Sequence, residues 1–477
     1  MRSQARRSGR RKATPRLRSG QRWQRRTSPS HLPPPSASAS EAPSLSVEAV
    51  SADWVLPIGG PPIREGTVRI EAGRIAAVGP ARELGWGRRY PAAVILPGFV
   101  NAHAHLEYAV YAGFGDGLPF PLWLETHISR KRRIGLEDAV AIARLGAAQC
   151  LASGVTTVAD ASFTGASAFA CAELGLRAVV FLEVFGADAG QALARFSELR
   201  ERVEPTLSER VCVGISPHAP YTCSAQVYEA CAALGLPLAT HLSETEAELE
   251  WLRAGRGPLA ALANLLVPPP GTSGVRLLAD IEVLSPHLCA CHCVHLDTEE
   301  IGLLARSGAG VVHCPRSNAF LGCGIAPVAD LLAAGAPVGL GTDSPASSPS
   351  FDVFEEMRAA LALGRVASRR PETMPAARVL ELATLGSARA LRLADEIGTL
   401  EPGKRADLTV ISLEDTPFLP WEDPAAAVVL GGSPERVVAT VVDGEVRYER
   451  ETTAWHELRQ RGSEARSKLL GLSRPSA

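Results

Sequence analysis

The 477-residue chain has no uninterrupted apolar stretch approaching the roughly 18 to 20 residues of a membrane-spanning helix, so no membrane partner is expected. It also lacks a charge excess: 49 Lys+Arg stand against 51 Asp+Glu, a formal net charge of −2. The asymmetry lies at the front, where residues 1–40 hold 11 basic side chains and no acid, leaving 38 against 51, or −13, for residues 41–477. An acidic body does not track a phosphate backbone, so no nucleic-acid partner is expected. Ten cysteines are spread through apolar segments of a long chain, which is not the pattern of a short disulfide-stapled domain, and a reducing cytoplasm is the expected location. No Cys-x-x-Cys pair exists to build a tetrahedral thiolate site. Cys289, Cys291 and Cys293 alternate with period two and are expected on one face of a buried strand. Lysine is scarce, with four in all, at 12, 131, 404 and 468.

Hydrophobic residues make up 46% and charged residues 21%, ordinary globular usage that excludes a wholly disordered chain or a coiled coil. The length suits one large catalytic domain with an accessory domain. Residues 1–45 are Arg-rich, then Ser/Pro-rich (HLPPPSASASEAPS), and are expected to be a disordered tail. The Arg pairs lack the apolar stretch of an export signal, and a transit peptide or an over-extended start fits them better. Removing residues 1–44 should leave the melting temperature and activity nearly unchanged, because a segment without apolar periodicity contributes little burial. A large loss of soluble protein on truncation would show the opposite.

Residues 46–96 read as short β runs broken by Gly and Pro. From 97 to 396, eight β-rich runs alternate with Ala/Leu-rich segments of helical period: LPGFVNAH, VTTVAD, RAVVFLEV, VCVGISP, PLATHL, HLCACHCV, AGVVHCP and PVGLGTD. Eight strand–helix units over this length predict an α/β fold, a (β/α)8 TIM barrel. A second β-type segment, 397–455, predicts a composite β-sandwich with the first, and 456–477 reads as an amphipathic helical tail.

Most of the eleven histidines fall at the C-terminal ends of these strands, the active face of such a barrel. His103 and His105 end strand one and point to one side; His218 ends strand four, His241 strand five, His292 or His295 strand six, His313 strand seven and Asp343 strand eight. Imidazoles converging with a carboxylate suit a zinc or iron site.

The runs FVNAHAHLE, HLSETEAE, HCVHL, HCPRSNAFLGCGIAPV and GTDSPASSPS resemble the amidohydrolase superfamily, in its cytosine-deaminase-like and triazine-hydrolase-like branch. EPGKRADLTV resembles the strand with which those enzymes re-enter their β-sandwich, so the likeness spans about residues 46–450. The resemblance implies one divalent metal, zinc first and iron as the alternative, held by His103, His105, His241 and Asp343, with Asp343 also accepting the proton of the attacking water. It implies Glu244 as proton shuttle, against the reading of an acidic helix N-terminus, and His292 rather than His295 as the residue that polarises the nucleophile or substrate. Relatives with two metals bridge them through a carboxylated lysine on strand four, and VCVGISP has none, which implies a single ion.

On the substrate side, Glu107 and His218 resemble residues of purine-nucleoside deaminases that meet a ribose hydroxyl or a ring nitrogen. Phe120 or Trp123, ahead of the basic run Arg130–Arg133, would cover a flat ring. The expected activity is hydrolytic deamination of an amino-substituted nitrogen heterocycle, adenine-type by preference, such as aminodeoxyfutalosine or a thio- or homocysteinyl-adenosine. Displacement of chloride from a triazine, or opening of a cyclic C–N bond, is the enzymatic alternative. A non-catalytic scaffold is the third reading, against which the intact ligand set argues. The partner is a small molecule, with self-association left open.

Overall fold

The computed structural model describes residues 46–471, so the tail read at 1–45 lies outside the described residues. Each of the eight β-rich runs becomes a strand of one parallel sheet: β5 (Phe99–Ala104), β6 (Val155–Ser162), β7 (Arg177–Val184), β8 (Val211–Pro217), β9 (Leu238–Leu242), β10 (Leu288–His292), β11 (Gly310–His313) and β12 (Val338–Leu340). The strands are hydrogen-bonded in chain order. They are nearly continuous in apolar residues because both faces are covered, by helices outside and by the barrel's own interior inside. The last strand returns to the first through a bridge between Ala104 and Asp343. Asn101 fastens this seam, its Nδ2 donating to Thr342 Oγ1 at 2.8 Å and its Oδ1 accepting Thr342 N–H at 3.0 Å. Gly341 is needed here, since a Cβ at that position would stand 2.7 Å from the Cβ of His103.

The flanking segments join in a seven-stranded sheet. Its strands are β1 (Ala49–Val55), β2 (Ile63–Glu71), β3 (Arg74–Pro80) and β4 (Arg88–Pro97) from the front of the chain, with β13 (Leu408–Ser412), β14 (Val437–Val442) and β15 (Glu445–Glu449) from the end. β4 and β13 pair antiparallel, with Ile95 opposite Val410, so chain segments more than 300 residues apart share one ladder. This sheet has its own core, including Val55, Val68, Ile95, Leu408 and Val441. It is tied to the base of the barrel by Arg177, which opens β7 and donates to both oxygens of Asp407 and to Asp443. Being at the N-terminal end of its strand, this ion cluster serves stability rather than chemistry. Among the described residues no helix is long and apolar enough to cross a membrane.

One expectation is corrected. Cys289 and Cys291 face the barrel interior with Ala239 and Val312, whereas Cys293 lies in the outer core between strands and helices. All three are buried and unpaired. The alternation breaks because the backbone turns left-handed at His292 (φ +72°), the last residue of β10, and at Cys293 (φ +49°) after it.

Candidate active site

The strand ends place their polar side chains in one buried mouth. His103 and His105 are separated by one residue at the end of β5, His241 lies in β9, and Asp343 follows β12 in a left-handed conformation (φ +56°). His105 Nε2 stands 3.3 Å from His241 Nε2 and 3.4 Å from Asp343 Oδ1; His103 Nε2 stands 3.6 Å from the same Oδ1. Four ligands bonded tetrahedrally to one ion at about 2.1 Å would be about 3.4 Å apart, so these separations suit one shared ion.

The protonation pattern suits it as well. His105 Nδ1–H donates to the Ala161 carbonyl at 3.0 Å and His241 Nδ1–H to the His218 carbonyl at 2.9 Å, which leaves both Nε2 lone pairs directed inward. His103 Nε2 is buried with no hydrogen-bond partner, an orphaned lone pair that a cation would satisfy. Burial lowers the His105 pKa to about 3 and holds His103 well below the usual histidine range, so the rings are neutral. Burial alone would raise Asp343, but His105, His103 and His292 hold it below the usual carboxylate range. Its other oxygen, Oδ2, accepts from Ser317 Oγ at 2.6 Å and Ser347 Oγ at 2.8 Å, which fixes the direction of Oδ1. The residues present therefore fit a divalent metal.

Glu244 and His292 complete the mouth. The His292 Nδ1 is 3.9 Å from Glu244 Oε1 and 2.9 Å from Asn318 Oδ1, its Nε2 is buried without a partner, and one of its ring nitrogens lies within 4.8 Å of ring nitrogens of His103 and His241. Burial raises the Glu244 pKa to about 7, which readies the carboxyl both to give and to take a proton near neutrality. Glu248, which sequence reasoning passed over, holds that carboxyl's backbone in place. Its two oxygens accept the Ser243 and Glu244 amides at 2.9 and 2.8 Å and brace the left-handed turn at Ser243 (φ +52°). In HLSETEAELE, Glu248 is one acid among four, and nothing in their order distinguishes it. Asp160, which sequence reasoning also passed over although it closes the run VTTVAD, accepts the Leu106 amide and so anchors the loop that carries His105 and Glu107. The His295 ring belongs to neither of the metal-competent groups that include His292 or Asp343.

The substrate-side residues separate. His218 lies beside the cluster, its ring 4.8 Å from that of His241, with Phe185 at 4.9 Å on another side. Glu107 turns away: its Oε1 accepts Ser162 Oγ and the Thr164 amide (3.0 Å), and only the buried Oε2 is without a partner. It lines a cavity of about 250 Å³ together with Lys131, Phe163, Thr164 and Arg202. Trp123 donates its indole N–H to the Ala346 carbonyl at 3.2 Å, linking the helix Phe120–Lys131 to the loop after β12. Of the basic run, Arg130 lies over Phe114, and Lys131 covers Tyr108 and Phe163.

Known proteins share this arrangement. Residues 94–447 match the amidohydrolase family model. Over 407 residues the chain is 36% identical to a 5-methylthioadenosine/S-adenosylhomocysteine deaminase of Moorella thermoacetica, covering 82% of this chain and 92% of the relative. It is 34% identical over 412 residues to a 5'-deoxyadenosine deaminase of Methanothermobacter thermautotrophicus, covering 82% of this chain and 91% of that one. An adenosine deaminase from Xanthomonas campestris, solved with bound zinc, superposes with a TM-score of 0.78 at 28% identity over 89% of this chain and 98% of its own. With strand order, ligand geometry and sequence in agreement, the chain belongs to the amidohydrolase family.

Proposed function

We propose that the protein is a metal-dependent hydrolytic deaminase of an adenine-type nucleoside, with one divalent ion, zinc by preference, held by His103, His105, His241 and Asp343. The observation that carries this reading is the buried Glu244 carboxyl, its pKa raised to about 7, beside the close-set nitrogens of His103, His105 and His241 and the Asp343 carboxylate. The relatives named for adenine nucleosides support the substrate class.

When bound, the ion supplies the positive charge that brings the pKa of a water toward neutrality. Asp343, fixed by Ser317 and Ser347, takes the water's proton as its oxygen adds to the amine-bearing ring carbon. Glu244 gives its proton to the ring nitrogen, takes up the proton of the added hydroxyl as the carbon becomes a carbonyl, and passes it to the amine, which leaves as ammonia; the proton held by Asp343 then returns to Glu244. His292, its ring oriented by Asn318, polarises the incoming oxygen. The test is ammonia release by the metal-loaded protein across adenine nucleosides, guanine, cytosine and triazines. Chloride rather than ammonia from a chlorinated triazine would favour the hydrolase alternative.

Glu107 and His218 are proposed to bind the substrate rather than the metal. Glu107→Gln and His218→Ala should leave metal content intact and lower kcat/KM by roughly ten- to over a hundredfold, the worth of a hydrogen bond to a charged group. For Glu107→Gln the loss should be large on the nucleoside and small on the free base. Since Oε1 is committed to Ser162 and Thr164, equal losses on both would make Glu107 a support for that loop instead.

A further inference from the structure

Glu183, the penultimate residue of β7, is 4% exposed, and its carboxylate makes no hydrogen bond or close ion pair with any described residue. One of its oxygens and one ring nitrogen each of His218 and His241 lie within 4.8 Å of one another. Three such groups resemble a second metal site, but His241 is already committed: its Nδ1 donates to the His218 carbonyl and its Nε2 faces His105 in the first cluster. Two ligands remain, fewer than the three a catalytic zinc takes from protein.

What remains is a pair of acceptors. His218 Nδ1 is 2.9 Å from Thr222 Oγ1, whose own proton is given to the Ala219 carbonyl at 3.1 Å, so Nδ1 carries hydrogen and Nε2 a lone pair. A carboxylate beside an imidazole lone pair, neither taking a hydrogen bond from a described residue, presents two acceptors to a ligand that brings two donors. The principal positive charge acting on Glu183 is Lys131, whose Nζ donates to Tyr108 Oη at 2.7 Å and has no carboxylate within 4.0 Å. With that cation already present, a second one would be repelled, whereas neutral hydroxyls would not.

We propose that Glu183 and His218 together receive two adjacent hydroxyls of the substrate, the vicinal diol of a ribose, which makes Glu183 a specificity-determining residue. This rests on the nucleoside reading above. The experiment compares wild type with Glu183→Gln on adenosine and on its 2',3'-dideoxy counterpart, with metal content measured in both proteins. Wild type should prefer the diol by roughly ten- to a hundredfold in kcat/KM, carried mainly by KM, and the preference should fall to within about threefold in Glu183→Gln. Glu183→Asp should restore part of it. Equal loss on both substrates, an unchanged preference, or departure of a second ion from the variant would overturn the assignment. If wild type released no ammonia from any adenine nucleoside, the deaminase reading would fail first. The diol preference would then be read from melting-temperature shifts with the same two ligands, and a wild type indifferent to the diol would overturn the Glu183 proposal as well.

Discussion

Glu244→Gln is expected to lower kcat by about two to four orders of magnitude while metal content and melting temperature stay near wild type. The amide keeps the shape of the side chain and leaves the Ser243 and Glu244 backbone amides bound to Glu248, so the turn after β9 stays in place. It removes the proton that must reach the ring nitrogen and the departing amine, and no other acid is as well placed. Glu248, though buried with its pKa raised to about 8, has both oxygens occupied by amides. Asp343 is held below the usual carboxylate range, enters the reaction without a proton and serves there as the acceptor. The contrast between kcat and metal content is the diagnostic, read by steady-state ammonia release alongside elemental analysis. Turnover within a fewfold of wild type would remove Glu244 from the proton path and return it to the acidic start of the helix Glu246–Ala254.

The barrel was legible because its information is local and periodic. Runs such as RAVVFLEV and VTTVAD are too apolar and β-branched for a one-sided sheet, and polar residues at their ends mark the face where chemistry sits. The joining of β4 to β13 was legible only as a requirement that two stray β segments find each other. What was hidden depended on backbone turns and on partners distant in sequence. By strict alternation His292 would share the outward side of Ala290, and the left-handed turn at its own Cα redirects it, taking Cys293 out of the interior row. Glu107 looked free because its captors, Ser162 and Thr164, stand two helices and one strand further along the chain. Glu183 sits in a strand so apolar that a single acid reads as an edge residue, and its meaning emerges only when β7 and β8 lie side by side.

Asp343→Ala should release the metal and abolish activity, and comparison with Ser317→Ala shows why both outcomes follow from one geometry. Removing the carboxylate deletes a ligand and the cluster's only negative charge, leaving His103, His105 and His241 as three neutral nitrogens. Ser317→Ala keeps every ligand but takes away one of two hydroxyls on Oδ2, so its affinity for metal should fall by only about ten- to a hundredfold. His103→Ala, His105→Ala and His241→Ala should behave like Asp343→Ala. Because an ion bound only by the folded chain stabilises it by mass action, wild type should gain melting temperature as zinc is added, by about 2.7 kcal/mol when free metal is a hundred times Kd. Asp343→Ala should show no such gain, and Ser317→Ala should show it at higher metal. Elemental analysis finding about one ion per wild-type chain and none in Asp343→Ala fits this arrangement. Two ions per chain would contradict the single site, and an undiminished ion in all four ligand variants would place the metal elsewhere in the molecule.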